Sequence, residues 1–406
     1  MKVAIVSSSF RPREVGGTET YLSMIADGLS ELVELIVLTG PLSTKSNLSS
    51  YRESLTVREI RLGGRYPIWE WSDHWLGSRA LWHFLDLRDR AAEQQIVDLL
   101  REEKPDVVHT HNVRGLSLST LQLPARMGIP HVHTLHDFLL LSPLSNLSLG
   151  GLILTPRLTP NRIYQSVTRA LTKTIGNVIS PSQYLLDEHT KMGFFEASQK
   201  HLLRMPRPSI TRTDETNSPA PPGVITTHPR PWFLYVGIIE KSKGVRILLD
   251  AIRRVRDLRA TFIVVGEGRL RPVVQKYAGN DDRVKFLGRV RKDELLWLYR
   301  NCDILVFPSL WPENAPMVLY EALSHGLAVI ASKIGGVPEI VTRNGGTLVE
   351  PGSVAELTSA LMVMIRHHTT SATGERHEAK LQSLPTLDQH VDKLLQVYKL
   401  AVESRV

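Results

Sequence analysis

Two glutamates, Glu313 and Glu321, stand with seven residues between them in "WPENAPMVLYEAL". The first sits among prolines and an Asn-Ala pair, a stretch that breaks regular structure; the second rides an apolar run with helical spacing. The segment before them, "DILVFPS", is apolar throughout, as a parallel strand buried on both faces must be. A helix opening at Pro316, where a missing N–H costs nothing, and stopping at Gly326 turns its positive end toward the space beyond that strand. Open α/β sheets bind ligands there, and a phosphate suits such an end. Glu321, about a turn and a half into the helix, would repel a phosphate and suits a diol instead, accepting two hydrogen bonds as from a ribose. Glu313, nearer the helix start, suits the transferred group. The next strand ends in "KIGGVPEI", where Gly335 and Gly336 permit close backbone approach and positive φ. Singly, such residues are a solvated helix glutamate and a plain turn. Together, at the ends of adjacent strands, they point to a nucleotide site.

The elements that position these groups repeat one pattern. Short β-branched runs, "KVAIVSS", "VELIVLTG", "PDVVHTH", "PHVHTLHD" and "GNVISPS", alternate with amphipathic segments up to about residue 205. "MPRPSITRTDETNSPAPPGVITTHPRP" then loses all apolar periodicity and reads as a linker over 206–230. Alternation resumes with "WFLYVG", "ATFIVVG", "VKFLG", "DILVFPS" and "LAVIAS", each followed by a helical pattern. The expected organisation is a first α/β domain at 1–205, a linker at 206–230, a second α/β domain at 231–385 and a terminal helix at 386–406, each domain with a parallel sheet covered on both faces. That helix carries a stripe of Leu387, Val391, Leu394, Leu395 and Tyr398, and packing on either domain satisfies it.

Composition excludes several classes. The chain has 406 residues, long enough for two or three cores, and its single cysteine, Cys302, rules out an intrachain disulfide and a cysteine-based zinc site. The formal charge of +8 is not gathered into any long Lys/Arg run, so nucleic acid is not an expected partner. "FLLLSPLSNLSLGGLIL", the longest apolar stretch, is broken by Ser, Asn, Pro and Gly and is a poor spanning helix. The opening "MKVAIVSSSF" reads as a first strand rather than a signal peptide, which fits a cytoplasmic protein.

With these motifs in place, "PENAPMVLYEALSHGLAVIASKIGGVPEIV" resembles the donor-binding segment of retaining glycosyltransferases of family 4, with its Glu, seven residues, Glu and a following Gly-Gly-x-x-Glu turn at Gly335, Gly336 and Glu339. "FRPREVGGTETYLSMIADGLS", "KPDVVHTHN", "TLHDF", "VISPSQYL", "YVGIIEKSKGVRILLDA" and "VVGEG" extend the resemblance over most of the chain. It implies the GT-B fold, two Rossmann-like domains facing each other across a deep cleft, with an acceptor-binding first domain and a donor-binding second one. It implies that Glu321 binds the ribose hydroxyls, that Glu313 lies near the donor sugar, and that Lys243 contacts the diphosphate. Gly237, Gly266, Asn314, Ala315, Met317 and Val318 would line the donor, and Gly16 and Gly17 would approach it from the first domain. His136 would lie near the reacting sugar, with Asp137 orienting it on the acceptor side. Lys243 and helix-end N–H groups suit the charge that develops on a diphosphate leaving group. Taken alone, Gly16-Gly17 is equally a tight turn, Lys243 a surface lysine and His136 a buried core histidine. Two departures stand out: Ile238 occupies the place of a usual basic residue after the glycine of "YVG", and Asn314-Ala315-Pro316 replaces an aromatic-glycine pair.

The reaction implied is sugar transfer from a nucleoside-diphosphate sugar to a carbohydrate or lipid-linked hydroxyl, retaining the anomeric configuration. No cofactor is expected, and the sequence has no Asp-x-Asp metal motif. His109 and His111 stand at strand spacing without a close carboxylate, so no metal site is expected either. The rivals are an epimerase or hydrolase acting on nucleotide-sugars and a non-catalytic nucleotide-sugar-binding subunit. An NAD-linked enzyme is disfavoured because "GEGRLR" at Gly266 lacks a third glycine. Finally, "NRIYQSVTRALTKTI" puts Ile163, Val167, Ala170 and Leu171 on one stripe beside Arg162, Arg169 and Lys173. Two readings stand, an ordinary core-facing helix, the preferred one, and a helix resting on an anionic membrane.

Overall fold

A computed structural model describes residues 1–11, 16–40, 57–62, 82, 85–143, 148–149, 152–153, 159–208, 219–222, 228–370 and 384–404. Most of the Trp-rich section after residue 40 and much of the 206–230 segment read as a linker lie outside the described residues. The chain divides into two compact units, Met1–Arg204 with Leu387–Val406, and Met205–Thr386.

In the first unit the strands are β1 Lys2–Ser7, β2 Glu34–Thr39, β3 Val57–Arg61, β4 Val107–Thr110, β5 His131–Thr134, a short antiparallel pair β6 Ser148–Leu149 and β7 Leu152–Ile153, then β8 Asn177–Ser180 and β9 Gln199–Leu202. Seven of them form one sheet in the order β3-β2-β1-β4-β5-β8-β9, and every neighbouring pair runs parallel. The second unit holds β10 Trp232–Val236, β11 Thr261–Val265, β12 Val284–Gly288, β13 Ile304–Phe307, β14 Ala328–Ser332 and β15 Thr347–Val349, ordered β12-β11-β10-β13-β14-β15 and again all parallel. The central strands are buried along their whole length, which is why they read as unbroken apolar runs. Phe233 and Phe262 stack at 5.0 Å in the second core, between the sheet and the helix Val245–Arg254.

In both sheets the strand order reverses at a definite place, between β1 and β4 in the first and between β10 and β13 in the second. The loops leaving the carboxyl ends of two such strands splay apart, and the crevice between them is where these sheets bind ligands.

The helix Leu387–Glu403 belongs to the first unit. His390, Val391, Leu394, Val397, Tyr398 and Ala401 form its buried face, while Leu387 and Leu395 are half-buried. It lies close to the helix Gly17–Leu29 because Gly28 has no side chain: a Cβ there would come within 2.8 Å of Val391 Cγ2. Tyr398 Oη meets His109 Nδ1 at 2.7 Å, and His390 Nε2 meets Tyr21 Oη at 2.9 Å.

The preferred reading of the Ile163 stripe is wrong. On the helix Thr159–Thr172 it is the polar residues that are buried, Asn161, Gln165, Thr168 and Thr172. Ile163 and Val167 are 71% and 39% exposed, Ala170 is exposed and Leu171 half-buried. The reason lies in what the helix covers. Tyr164 Oη, Gln165 Nε2 and Thr168 Oγ1 donate to the carbonyls of Leu139, Leu141 and Leu140 at 2.9, 2.9 and 2.7 Å. A turn with carbonyls facing a buried helix demands donors from it, and apolar residues cannot supply them.

Candidate active site

The switch point of the second sheet is built from residues far apart in sequence. After β10 the chain passes Gly237 and Ile238 and makes a 3-10 turn, Lys241–Lys243. Gly244 then takes φ +71°, and a Cβ there would lie 1.7 Å from the Pro308 carbonyl oxygen, so only glycine lets this turn lie against the loop that follows β13. Leu310 N–H donates to Ser242 O at 2.8 Å across the same contact. Lys243 Nζ thereby reaches Glu313 Oε1 at 2.6 Å, and Ser309 Oγ donates to that oxygen at 2.9 Å. Glu313 is 9% exposed. A buried carboxylate is retained where a cation and a hydroxyl satisfy it, and here both do.

Gly335 has a different task from the one its sequence suggests. Its φ is +60°, and its open face is filled by the Glu313 backbone: a Cβ would stand 2.2 Å from Glu313 O. Gly336 N–H donates to that same carbonyl at 2.8 Å, while its own φ of −82° is open to any residue. The Gly-Gly turn holds the Glu313 peptide in place. Gly266, at φ +136°, lies against Gly237 in the same way, 1.8 Å separating its would-be Cβ from Gly237 O. Tyr235 Oη donates to Ile238 O at 3.1 Å and pins the intervening turn, leaving Ile238 56% exposed.

The helix after Glu313 runs Met317–Ser324, with Pro316 in extended conformation at its N-cap rather than inside its first turn. Its first N–H groups, those of Met317 and Val318, lack intrahelical partners by geometry. The Met317 side chain is buried; Asn314, Ala315 and Val318 are half-buried. Glu321 is also half-buried, and its Oε2 accepts a 2.7 Å hydrogen bond from Tyr299 Oη. Burial pushes the Glu321 carboxyl upward in pKa, and the Tyr299 hydroxyl opposes that shift. Tyr299 stacks on His325, ring centroids 5.6 Å apart, and His325 Nδ1 meets Glu321 O at 2.8 Å. Tyr299, Ser309 and Tyr235 escaped the sequence reading. Tyr299 and Tyr235 sit on apolar faces and read as core, and a lone serine after a strand carries no signal.

In the first unit Gly16 caps the helix Gly17–Leu29 in an extended conformation, with no side-chain cap. Both glycines are exposed. His136 and Asp137 follow β5. His136 Nε2 meets His111 Nδ1 at 2.9 Å, and Tyr21 packs edge-on against the His136 ring at 5.6 Å. Burial drives the His136 imidazole down to about 3, so it is neutral at pH 7. Asp137 Oδ1 accepts from Leu139 N–H at 2.7 Å and organises its own turn; the group that meets the His136 ring at its Nε2 is His111, not Asp137. His109 and His111 are committed to neighbours as well, His109 Nε2 meeting Thr134 Oγ1 at 2.8 Å. A small cavity of about 20 Å³, room for about one water, is lined by His111, Asn112, His133, His136 and Asp137 among others.

A parallel sheet covered by helices in each of the two units defines a protein of two Rossmann-like domains. Residues 15–199 match the family described as Glycosyltransferase Family 4, and residues 230–367 match Glycosyl transferases group 1. The chain belongs to these glycosyltransferases. It is 22% identical over 342 residues to an uncharacterized 42.6 kDa protein of the cps region of Klebsiella pneumoniae, spanning 84% of this chain and 87% of that one. It is 24% identical over 292 residues to the sulfoquinovosyl transferase SQD2 of Arabidopsis thaliana, spanning 69% and 54%. Among solved structures, sucrose-phosphate synthase from Thermosynechococcus elongatus superposes with a TM-score of 0.76 at 19% identity over 99% of both chains. Anabaena HepE in complex with UDP superposes at 0.70 and 19% identity over 98% and 100%. The fold is GT-B.

Proposed function

We propose that this glycosyltransferase moves a sugar from a nucleoside-diphosphate sugar to a hydroxyl of a glycan or lipid-linked acceptor, in the cytoplasm, with retention at the anomeric carbon and without a metal. The observation that carries the donor assignment is the convergence of Lys243, Ser309 and Glu313 at the switch point of the second sheet, with Glu321 about one turn along the adjoining helix. Lys243 would stabilise the departing diphosphate together with the N–H groups of Met317 and Val318, and Glu321 would take the ribose diol. The anomeric C–O bond to the diphosphate breaks as the acceptor oxygen bonds the same carbon from the same face. The acceptor proton passes to a diphosphate oxygen, and the nucleoside diphosphate leaves. Glu313 and neutral His136 would orient and stabilise the cationic sugar between these events, with no covalent adduct. Solved UDP and UDP-glucose complexes of the similar HepE fold support this reading.

The test is a panel of nucleotide-sugars, with and without acceptor hydroxyls, read as release of nucleoside diphosphate. Transfer should appear with one donor class, Lys243→Ala should slow turnover at least tenfold, and Glu321→Ala should raise the donor KM. Turnover unaltered by Lys243→Ala together with a donor KM unaltered by Glu321→Ala would contradict the assignment. The exposed Ile238, where the family usually places a base, favours a second reading, a subunit that binds donor without turning it over. Donor binding with no release, restored by Ile238→Arg, identifies that case.

A further inference from the structure

The helix Thr159–Thr172 wears its apolar residues outside. Arg162, Ile163, Ser166, Val167 and Ala170 are its exposed residues among those described, continued by the exposed Lys173 in the turn that follows. The inward face is polar because it must serve the carbonyls of Leu139, Leu140 and Leu141. That requirement accounts for the polar interior and leaves the outer apolar strip without a structural purpose, since an outward face needs no isoleucine. The charge of the helix and its flanking sequence is one-sided. No acidic residue occurs anywhere between Asp137 and Asp187, while Arg157, Arg162, Arg169 and Lys173 do. Arg162 and Lys173 have no ion pair among the described residues, and Arg169 is spent on the Met192 carbonyl at 3.1 Å and on Ser166. Arg126 extends the basic rim on the neighbouring segment, where Gln122 Nε2 donates to Ala170 O at 3.1 Å.

We propose that this strip docks the chain on an anionic phospholipid bilayer, Ile163 and Val167 entering the headgroup boundary and Arg162 and Lys173 meeting lipid phosphates. An amphipathic helix with an apolar strip flanked by cations lies in the plane of such a surface, and its affinity sums the buried apolar area and the attraction to anionic lipid. Glu196 stands near Arg169, but Arg162 and Lys173 have no ion pair among the described residues, and an anionic bilayer matches these cations and the apolar strip at once. The docked helix is the one whose inner side chains hold the turn Phe138–Ser142, directly after His136 and Asp137. Docking therefore places the turn that follows those residues about one helix diameter, ~10 Å, from the membrane surface. That this favours a hydroxyl acceptor carried on a lipid rests on the transferase reading; the docking itself does not.

Sedimentation with vesicles tests it. The full chain should pellet with phosphatidylcholine vesicles containing phosphatidylglycerol at low salt, and should be released at high salt or with phosphatidylcholine alone. Replacing Arg162→Gln or Lys173→Gln should lower the partition coefficient about fivefold each. Ile163→Ser with Val167→Ser should lower it about tenfold, and Lys399→Gln, on the exposed face of the terminal helix, should leave it unchanged. Thermal midpoints and nucleoside-diphosphate affinity, measured on the same samples, should not move, so a failure of the donor assignment registers separately. No pelleting with anionic vesicles at low salt overturns the proposal. So does pelleting that ignores both sets of substitutions, and so does self-association without vesicle binding that Ile163→Ser abolishes, which would make a second copy the occupant.

Discussion

Tyr299 shows how much of a site can hide in a residue that reads as core. It lies on an apolar helical pattern, "KDELLWLYRNC", and its ring is buried, yet its hydroxyl fixes Glu321 Oε2 at 2.7 Å. Tyr299→Phe keeps the ring and deletes that hydrogen bond, worth about 1 kcal/mol. Nucleoside-diphosphate affinity should fall about fivefold with little change in thermal midpoint. The Glu321 carboxyl already sits above its ordinary pKa through burial, and losing the hydroxyl should raise it further. The pH below which binding fails should therefore move upward in the variant, as titration calorimetry across pH 4–8 would record; an unmoved limb would show that the hydroxyl has no part in the site. Glu313 and Glu321 drew attention by their spacing from a strand and its breakers, Lys243 only by the family resemblance. Ser309 and Tyr299 were not, since a partner chosen by three-dimensional proximity leaves no local pattern.

Elements were legible wherever a strand is central. "TFIVV" and "ILVF" are buried on both faces and carry no charged residue that could mislead. Besides the short pair β6-β7, the strands the sequence did not announce are β3, β9 and β15, three of the four edges of the two large sheets among the described residues. "VREIR" and "QKHL" alternate or carry charge because an edge needs burial on fewer sides, and β9 is exposed along most of its length. The helix Thr159–Thr172 failed for the opposite reason: periodicity located the stripe correctly but assumed that apolar means inward, and a turn full of carbonyls inverted the rule. Glycine is the other device at this scale. Gly244→Ala would force a Cβ into the Pro308 carbonyl at a positive φ, with no flexible side chain to give way. The turn bearing Lys243 and the loop bearing Glu313 would separate, at a cost of about 2–3 kcal/mol. Donor binding should be lost along with several degrees of thermal stability, whereas Gly336→Ala, at an ordinary φ, should lower stability much less. Equal losses in the two would refute the packing argument.

At the scale of the molecule the two units differ in what they bury. The first holds His109, His111, His131, His133, His136, His189 and His390, all pushed by burial below the ordinary imidazole pKa, His131 to about 3 and His189 to about 4. Their folded forms stay neutral while the unfolded chain takes up protons from pH ~6.5 downward, so the unfolded state binds more protons and stability rises with pH in that window. Full stability is present above pH ~6.5 and drains as pH falls toward 4, by about 1.4 kcal/mol per pH unit for each histidine fully out of step. Scanning calorimetry from pH 7 to pH 4.5 should show the transition of the first unit falling well ahead of that of the second; parallel falls would mean these rings titrate freely. On the proposed function, the second unit grips a nucleoside diphosphate through Lys243 and Glu321. Calorimetric titration of the purified chain with nucleoside diphosphates measures that directly. One of them should bind the native chain and bind Glu321→Ala at least tenfold more weakly, and binding by none, or equally by both, would contradict it.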